Sequence, residues 1–101
     1  MIILLNLGEG RVTLDDPANF GQFSVRVDDG RSPEAIRQLV ESSGLGTLHH
    51  DQEHVVVDPA AVRRLAGSVV DDDWEQGFSA MCTYAASKGW LEDGGILAHI
   101  E

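Results

Sequence analysis

The segment HHDQEH, residues 49–54, gathers three of the chain's four histidines and two acids into six positions. Imidazole and carboxylate are the side chains of metal ligation and of proton transfer near neutral pH. What they can do depends on what holds them. Residues 46–50 and 54–58 read as two β-strands, so the segment reads as the tip of a hairpin. A loop of Asp51 and Gln52 sets His49 across from His54. A loop of residues 51–53 sets His50 there instead. In the first register Leu48, Val55 and Val57 share the opposite, buried face. Either register brings two imidazoles within reach of one divalent cation. A built zinc site takes three or four protein ligands on rigid elements, and here the others would be Asp51 or Glu53 in a turn. The spacing is neither that of a zincin helix nor that of a zinc finger. A solvated hairpin tip is expected, with His49, His50 and His54 as the metal candidates.

The fourth histidine, His99, stands alone on a terminal strand, facing away from Ile96, Ala98 and Ile100. It is a general-base candidate only if a carboxylate or a pocket lies beside it, and plain polar surface is the simpler reading. Cys82 falls on the apolar side of a helix next to Met81, where a buried structural thiol is expected. Asp71, Asp72 and Asp73 lack the alternating ligands, central Gly and distal Glu of a calcium loop. They suit the positive end of a helix dipole. Gly8-Glu9-Gly10 lacks the third glycine of a dinucleotide fingerprint and is followed by no phosphate-binding lysine. No cofactor is expected.

The aromatic side chains form the most specific pattern. DWEQGFSAMCTYAASKGW, residues 73–90, holds four of the six aromatics. Trp74, Phe78, Met81, Cys82 and Ala85 recur at helical spacing and make a core stripe. Tyr84 falls off that stripe, so its hydroxyl is free to reach the surface. Trp90 follows the helix-ending Gly89, where it can pack on Ala85 and stay partly exposed. An exposed Trp–Tyr pair can line a small pocket or a partner interface. Tyr84, Trp90 and His99 are therefore the ligand-binding candidates, in a pocket between this helix and the sheet.

The elements that must position these residues follow from periodicity and punctuation. Residues 1–7 are almost continuously Ile and Leu and read as a strand buried on both faces. Residues 11–14 can return as a second strand, and DDPANFG, residues 15–21, is loop chemistry. Phe23, Val25 and Val27 alternate with Ser24 and Arg26 in a half-buried strand. Ser32-Pro33-Glu34 starts a helix, with Ile36, Leu39 and Val40 facing in and Gly44 ending it. Asp58-Pro59 starts the next, with Val62, Leu65, Ala66 and Val69 inward. The long helix covers about residues 73–88, Asp93-Gly94-Gly95 turns the chain, and residues 96–101 alternate as a last strand. The order β(β)–β–α–β–β–α–α–β does not interleave strands and helices regularly. It predicts a small single α+β domain over residues 1–101. The sheet is mainly antiparallel or mixed, of about four to six strands, with about three helices on one face.

Composition bounds the function. Seventeen acids against seven bases leave a net charge of −10, and residues 71–101 carry seven acids against Lys88 alone. Such a surface repels phosphate backbones and anionic membranes. One cysteine allows no intrachain disulfide and fits a reducing compartment. MIILLNL lacks the features of a signal peptide and is too short to span a bilayer, so a cytoplasmic protein is expected. Six arginines against one lysine point to a GC-rich bacterial or phage genome.

Trp74, Phe78, Met81, Tyr84-Ala85 and Gly89-Trp90, with the closing ILAHIE and a compatible VDPAAVRRLAG helix, resemble a family of small conserved hypothetical bacterial proteins, actinobacterial in type. The resemblance covers about the C-terminal half and implies no activity and no site residues. The leading expectation is a non-enzymatic, acidic protein-interaction module whose partner is another protein or a second copy of itself. A homodimer would pair an edge strand from residues 1–7 or 22–27. One alternative is a small-molecule binder or small enzyme. Another is an acidic nucleic-acid mimic or immunity-type protein capturing a basic partner.

Overall fold

The computed structural model describes residues 1–30 and 32–101. Its three helices start where a side-chain oxygen caps them. Ser32 Oγ accepts from the Ala35 amide, ahead of α1 (Pro33–Ser42). Asp58 Oδ1 accepts from the Ala60 amide at 2.9 Å, ahead of α2 (Pro59–Ala66). Asp71 Oδ1 accepts from the Trp74 amide at 2.7 Å, ahead of α3 (Asp72–Ser87). Each cap satisfies an amide that the first helical turn would leave without a partner. Asp72 and Asp73 complete the negative first turn of α3, which favours the dipole's positive end. Gly89 closes α3 in the left-handed region, and the Trp90 amide returns to the Ala85 carbonyl at 2.9 Å. That return bond fixes where Trp90 leaves the helix.

Seven strands form one mixed sheet that curls into a half-barrel. They are β1 (Ile2–Asn6), β2 (Arg11–Asp15), β3 (Ser24–Asp28), β4 (Gly46–Leu48), β5 (His54–Val57), β6 (Leu91–Glu92) and β7 (Gly95–Ile100). The order across the sheet is β2-β1-β3-β7-β5-β4. The β1–β3 and β3–β7 pairs are parallel, and the β1–β2, β4–β5, β5–β7 and β6–β7 pairs are antiparallel. The fold is α+β, as the element order predicts.

In β1, β3, β5 and β7 the residues that enter the core alternate along the strand, although Ser24, Val56 and Gly95 are buried as well. Ile3 and Leu5, Val25 and Val27, Val55 and Val57, and Ile96, Ala98 and Ile100 meet the buried faces of all three helices in one core. Phe78 is fully buried there, and Trp74 stacks on it with ring centres 4.9 Å apart. The helices therefore cover one face of the sheet and leave the other open.

Four local expectations change. Val69, expected to face inward, lies in a short 3-10 turn beyond the end of α2 and is exposed. β1 is buried on one face only, and Ile2 and Leu4 are half-buried on the open face. Both apolar strands offered for edge pairing, β1 and β3, lie inside the sheet between partners. The edges are β2 and β4. The short strand β6 has no apolar run to announce it. It exists because Asp93 and Gly94 both take positive φ and fold Leu91 and Glu92 back on Ile96 and Gly95.

Candidate functional site

β5 takes one edge of β7 along residues 96–99. β3 and β6 therefore share the other edge, end to end. β6 pairs with Gly95 and Ile96, and β3 pairs with His99 and Ile100. A groove of about 550 Å³ opens at that seam, floored by α3. Phe20 and Phe23 form one wall, Trp90 and Leu97 the other, and Met81 and Tyr84 rise from the helix. Tyr84 is the one ionisable side chain in the lining. Tyr84 is 55% exposed and Trp90 46%, and their rings meet edge to face at 5.9 Å. Leu91, next in the chain after Trp90, is 45% exposed.

The groove keeps its shape through one tight approach. Phe20 lies on α3 at Gly77, where a Cβ would come within 2.6 Å of Phe20 Cδ2. Glycine lets the ring reach the helix and meet Trp74 edge to face at 5.8 Å. The Trp74 indole N–H donates to the Pro17 carbonyl at 2.9 Å and anchors the same loop.

The structure places Tyr84 and Trp90 together, as their spacing predicts. It does not bring His99 to them. His99 pairs with Ser24 across the β3–β7 seam, is exposed, and is not among the groove-lining residues. Sequence reasoning missed the rest of the lining, Phe20, Phe23, Gly77 and Leu97 among it. Phe20 stands in loop chemistry, and its helix contact spans 57 residues of chain, so no local pattern marks it.

The hairpin tip takes the first of its two registers. The His49 amide donates to the His54 carbonyl at 2.9 Å, and Leu48 pairs with Val55. His49 and His54 share the open face, and β5 places His54 directly across from His99. All four histidines thus gather at one end of the sheet. Ring centres lie 4.0 Å apart for His49–His50, 6.2 Å for His49–His54 and 5.1 Å for His54–His99. His49 is held from two sides: Nε2 lies 3.0 Å from Glu92 and Nδ1 lies 3.2 Å from Asp51. His54 Nδ1 lies 2.8 Å from the other Asp51 oxygen. Asp51 also accepts from the amides of Glu53 and His54, at 2.8 and 3.1 Å. The Glu53 amide chiefly, and His54 and His49 after it, hold the Asp51 carboxyl well below the usual carboxylate range. Among the described residues, no group of three or more His, Cys, Asp or Glu is arranged to hold a metal ion.

Cys82 is half-buried beside the core, and burial pushes its thiol up from the ordinary value. Among the described residues, no helix is long and apolar enough to cross a membrane. Comparison with protein-family models, curated proteins and solved structures finds no match for this chain.

Proposed function

We propose that the chain is a non-enzymatic, acidic protein-interaction module. Its docking site is the groove beside α3, and its partner is a basic protein segment carrying an aromatic or aliphatic anchor. The observation that carries this reading is the exposed Tyr84–Trp90 pair at the rim of an apolar groove, on a chain of net charge −10. Large apolar side chains stay at a surface at a cost in solvation, and such patches mark contact sites. Tyrosine and tryptophan are the residues most often found to anchor interfaces.

Charge selects the occupant. Asp71 caps the helix that floors the groove and Asp72 and Asp73 begin it, while Asp15 at the end of β2 and Asp16 adjoin the Pro17 loop held by Trp74. Lysine or arginine flanking the anchor would meet these acids, which steers encounter and rejects acidic competitors. Nucleic acid and anionic membrane surfaces would be repelled. A single cysteine, half-buried, suits a cytoplasmic setting. The resemblance to small actinobacterial proteins adds no activity to this reading.

The groove volume also falls in the range of small-ligand sites, roughly 300–1,000 Å³. A small apolar ligand is thus the second reading, and one experiment separates the two. A short helical peptide of Lys, Leu and Phe is titrated into labelled protein, beside the same peptide with Glu for Lys. The expected result is that the cationic peptide alone shifts the Tyr84 and Trp90 signals. Its binding weakens by at least about tenfold from low to physiological salt, and Trp90→Ala loses it. Equal response to both peptides, or none, refutes the proposal. Saturable binding of an uncharged aromatic probe with no peptide response favours the small ligand.

A further inference from the structure

The groove leaves the edges of the sheet unused, and one edge is complementary to itself. We infer that two copies of the chain associate through β2, antiparallel across a two-fold axis at Thr13, so that their sheets join. Backbone, register and charge each support this pairing.

β2 is an outer strand with hydrogen-bonding groups to spare. Between β1 and β3, the Leu7 amide donates to the Asp28 carbonyl and the Ser24 amide to the Met1 carbonyl. Odd-numbered residues of β1 therefore turn their backbone groups toward β3, and even-numbered residues turn theirs toward β2. Leu5 stands opposite Val12 and Ile3 opposite Leu14. Val12 and Leu14 consequently aim their N–H and C=O groups outward, away from β1. Among the described residues, no strand lies on that side of β2. Such an edge is a template for a further strand.

The register follows from the ends of the strand and from its charges. Gly10 and Asp16 flank β2 and both take positive φ, which limits the extended run to five residues. Outward-facing groups must meet outward-facing groups across an antiparallel seam, so the axis falls on Val12, Thr13 or Leu14. An axis on Val12 sets Asp15 against the partner's Glu9, two like charges. An axis on Leu14 sets Arg11 against the partner's Pro17 and gives it no acid. An axis on Thr13 sets Arg11 against the partner's Asp15 at both ends of the seam. These are positions without direct backbone bonds, where facing side chains come closest.

The side chains suit that register. Arg11, Thr13 and Asp15 are exposed, and among the described residues neither Arg11 nor Asp15 forms an ion pair within its own chain. Val12 and Leu14 are half-buried and pack against the core. Val12 and Leu65 of α2 line a small cavity of about 130 Å³, and the partner's Leu14, opposite Val12, would extend this apolar row. Charges on an edge strand ordinarily keep other strands away. Here the two-fold axis makes them partners. The other edge, β4, has only three residues and no charge, so it offers no such match. A seam of five residues is small, and the dimer it makes is weak and concentration-dependent.

The test is sedimentation equilibrium of the full chain from micromolar to millimolar concentration. Salt is held at about 0.15 M, where repulsion between two acidic chains is screened beyond roughly 8 Å. Amide NMR spectra over the same range locate the seam. The expected result is a monomer–dimer equilibrium in which the Val12 and Leu14 amides move most. Arg11→Asp and Asp15→Arg each weaken the dimer by at least about tenfold, because each sets like charges together at both ends. The double variant Arg11→Asp/Asp15→Arg exchanges the charges and regains association within about threefold. Thr13→Arg, which places two like charges at the axis, weakens it as well. Thermal melts at low concentration show that each variant folds. A strict monomer at millimolar concentration refutes the inference. So does a dimer whose moving amides lie in β4 or the groove, a dimer indifferent to the single charge reversals, or a folded double variant that does not recover. β2 shares no residue with the groove lining, so none of these outcomes bears on peptide binding there.

Discussion

Gly77 tests whether the groove wall is built as described. Two effects of Gly77→Ala oppose each other. Alanine in a helix interior is favoured over glycine by about 1 kcal/mol. Against it, the new methyl would sit inside contact distance of the Phe20 ring, within 2.6 Å of Cδ2. The ring must leave its seat, which strains the loop and loosens its edge-to-face contact with Trp74. Overpacking of this kind costs roughly 1–3 kcal/mol. The net expectation is destabilisation by about 1 kcal/mol, or about 4–8 °C in Tm for a chain of this size. Removing the obstacle reverses the sign: in a Phe20→Ala background, Gly77→Ala should stabilise by about 1 kcal/mol. Urea denaturation of the four proteins, followed by circular dichroism, gives the cycle. If Gly77→Ala stabilises the protein that retains Phe20, the ring does not lie on α3, and the groove as described is wrong.

Two further predictions concern the same helix. Asp71→Ala removes the cap on the Trp74 amide and should cost about 1 kcal/mol, read as a lower urea midpoint with unchanged slope, while Asp71→Asn should retain most of it. Cys82, whose thiol is pushed up by burial, should react with a disulfide reagent at pH 8 at least about tenfold more slowly than a free cysteine. The difference should vanish in denaturant, and fast labelling of the native protein would contradict the burial.

How much of this was legible in the sequence follows from the range of each interaction. Ser32-Pro33, Asp58-Pro59 and Asp71 mark the helix starts because capping is settled within three residues. Gly44 and Gly89 mark ends for the same reason. Tyr84 and Trp90 could be paired because one helix and its terminal bond connect them. What failed depends on contacts between distant segments. Continuous Ile and Leu in β1 suggested burial on both faces, but helices on one side and β2 at the edge leave Ile2 and Leu4 half-buried. His99 beside His54 is set by strand order and Phe20 on Gly77 by loop-to-helix packing, neither of which local periodicity encodes.

The same point explains why HHDQEH misleads when read alone. Its density of ligand-type residues comes from a turn, and turn residues bond mainly to one another. Asp51 takes the amides of Glu53 and His54, and His49 is drawn to Asp51 and Glu92. These bonds tie the side chains of the tip to their neighbours. His54 faces His99, a residue from 45 positions further along the chain, with ring centres 5.1 Å apart. The chemistry of the segment therefore depends on β7, which the sheet places beside β5, more than on the residues adjacent in sequence. A loop insertion between residues 50 and 53 that kept the β4–β5 pairing should leave the His54–His99 distance intact. A one-residue slip of β5 against β7 would turn His54 to the other face and separate it from His99.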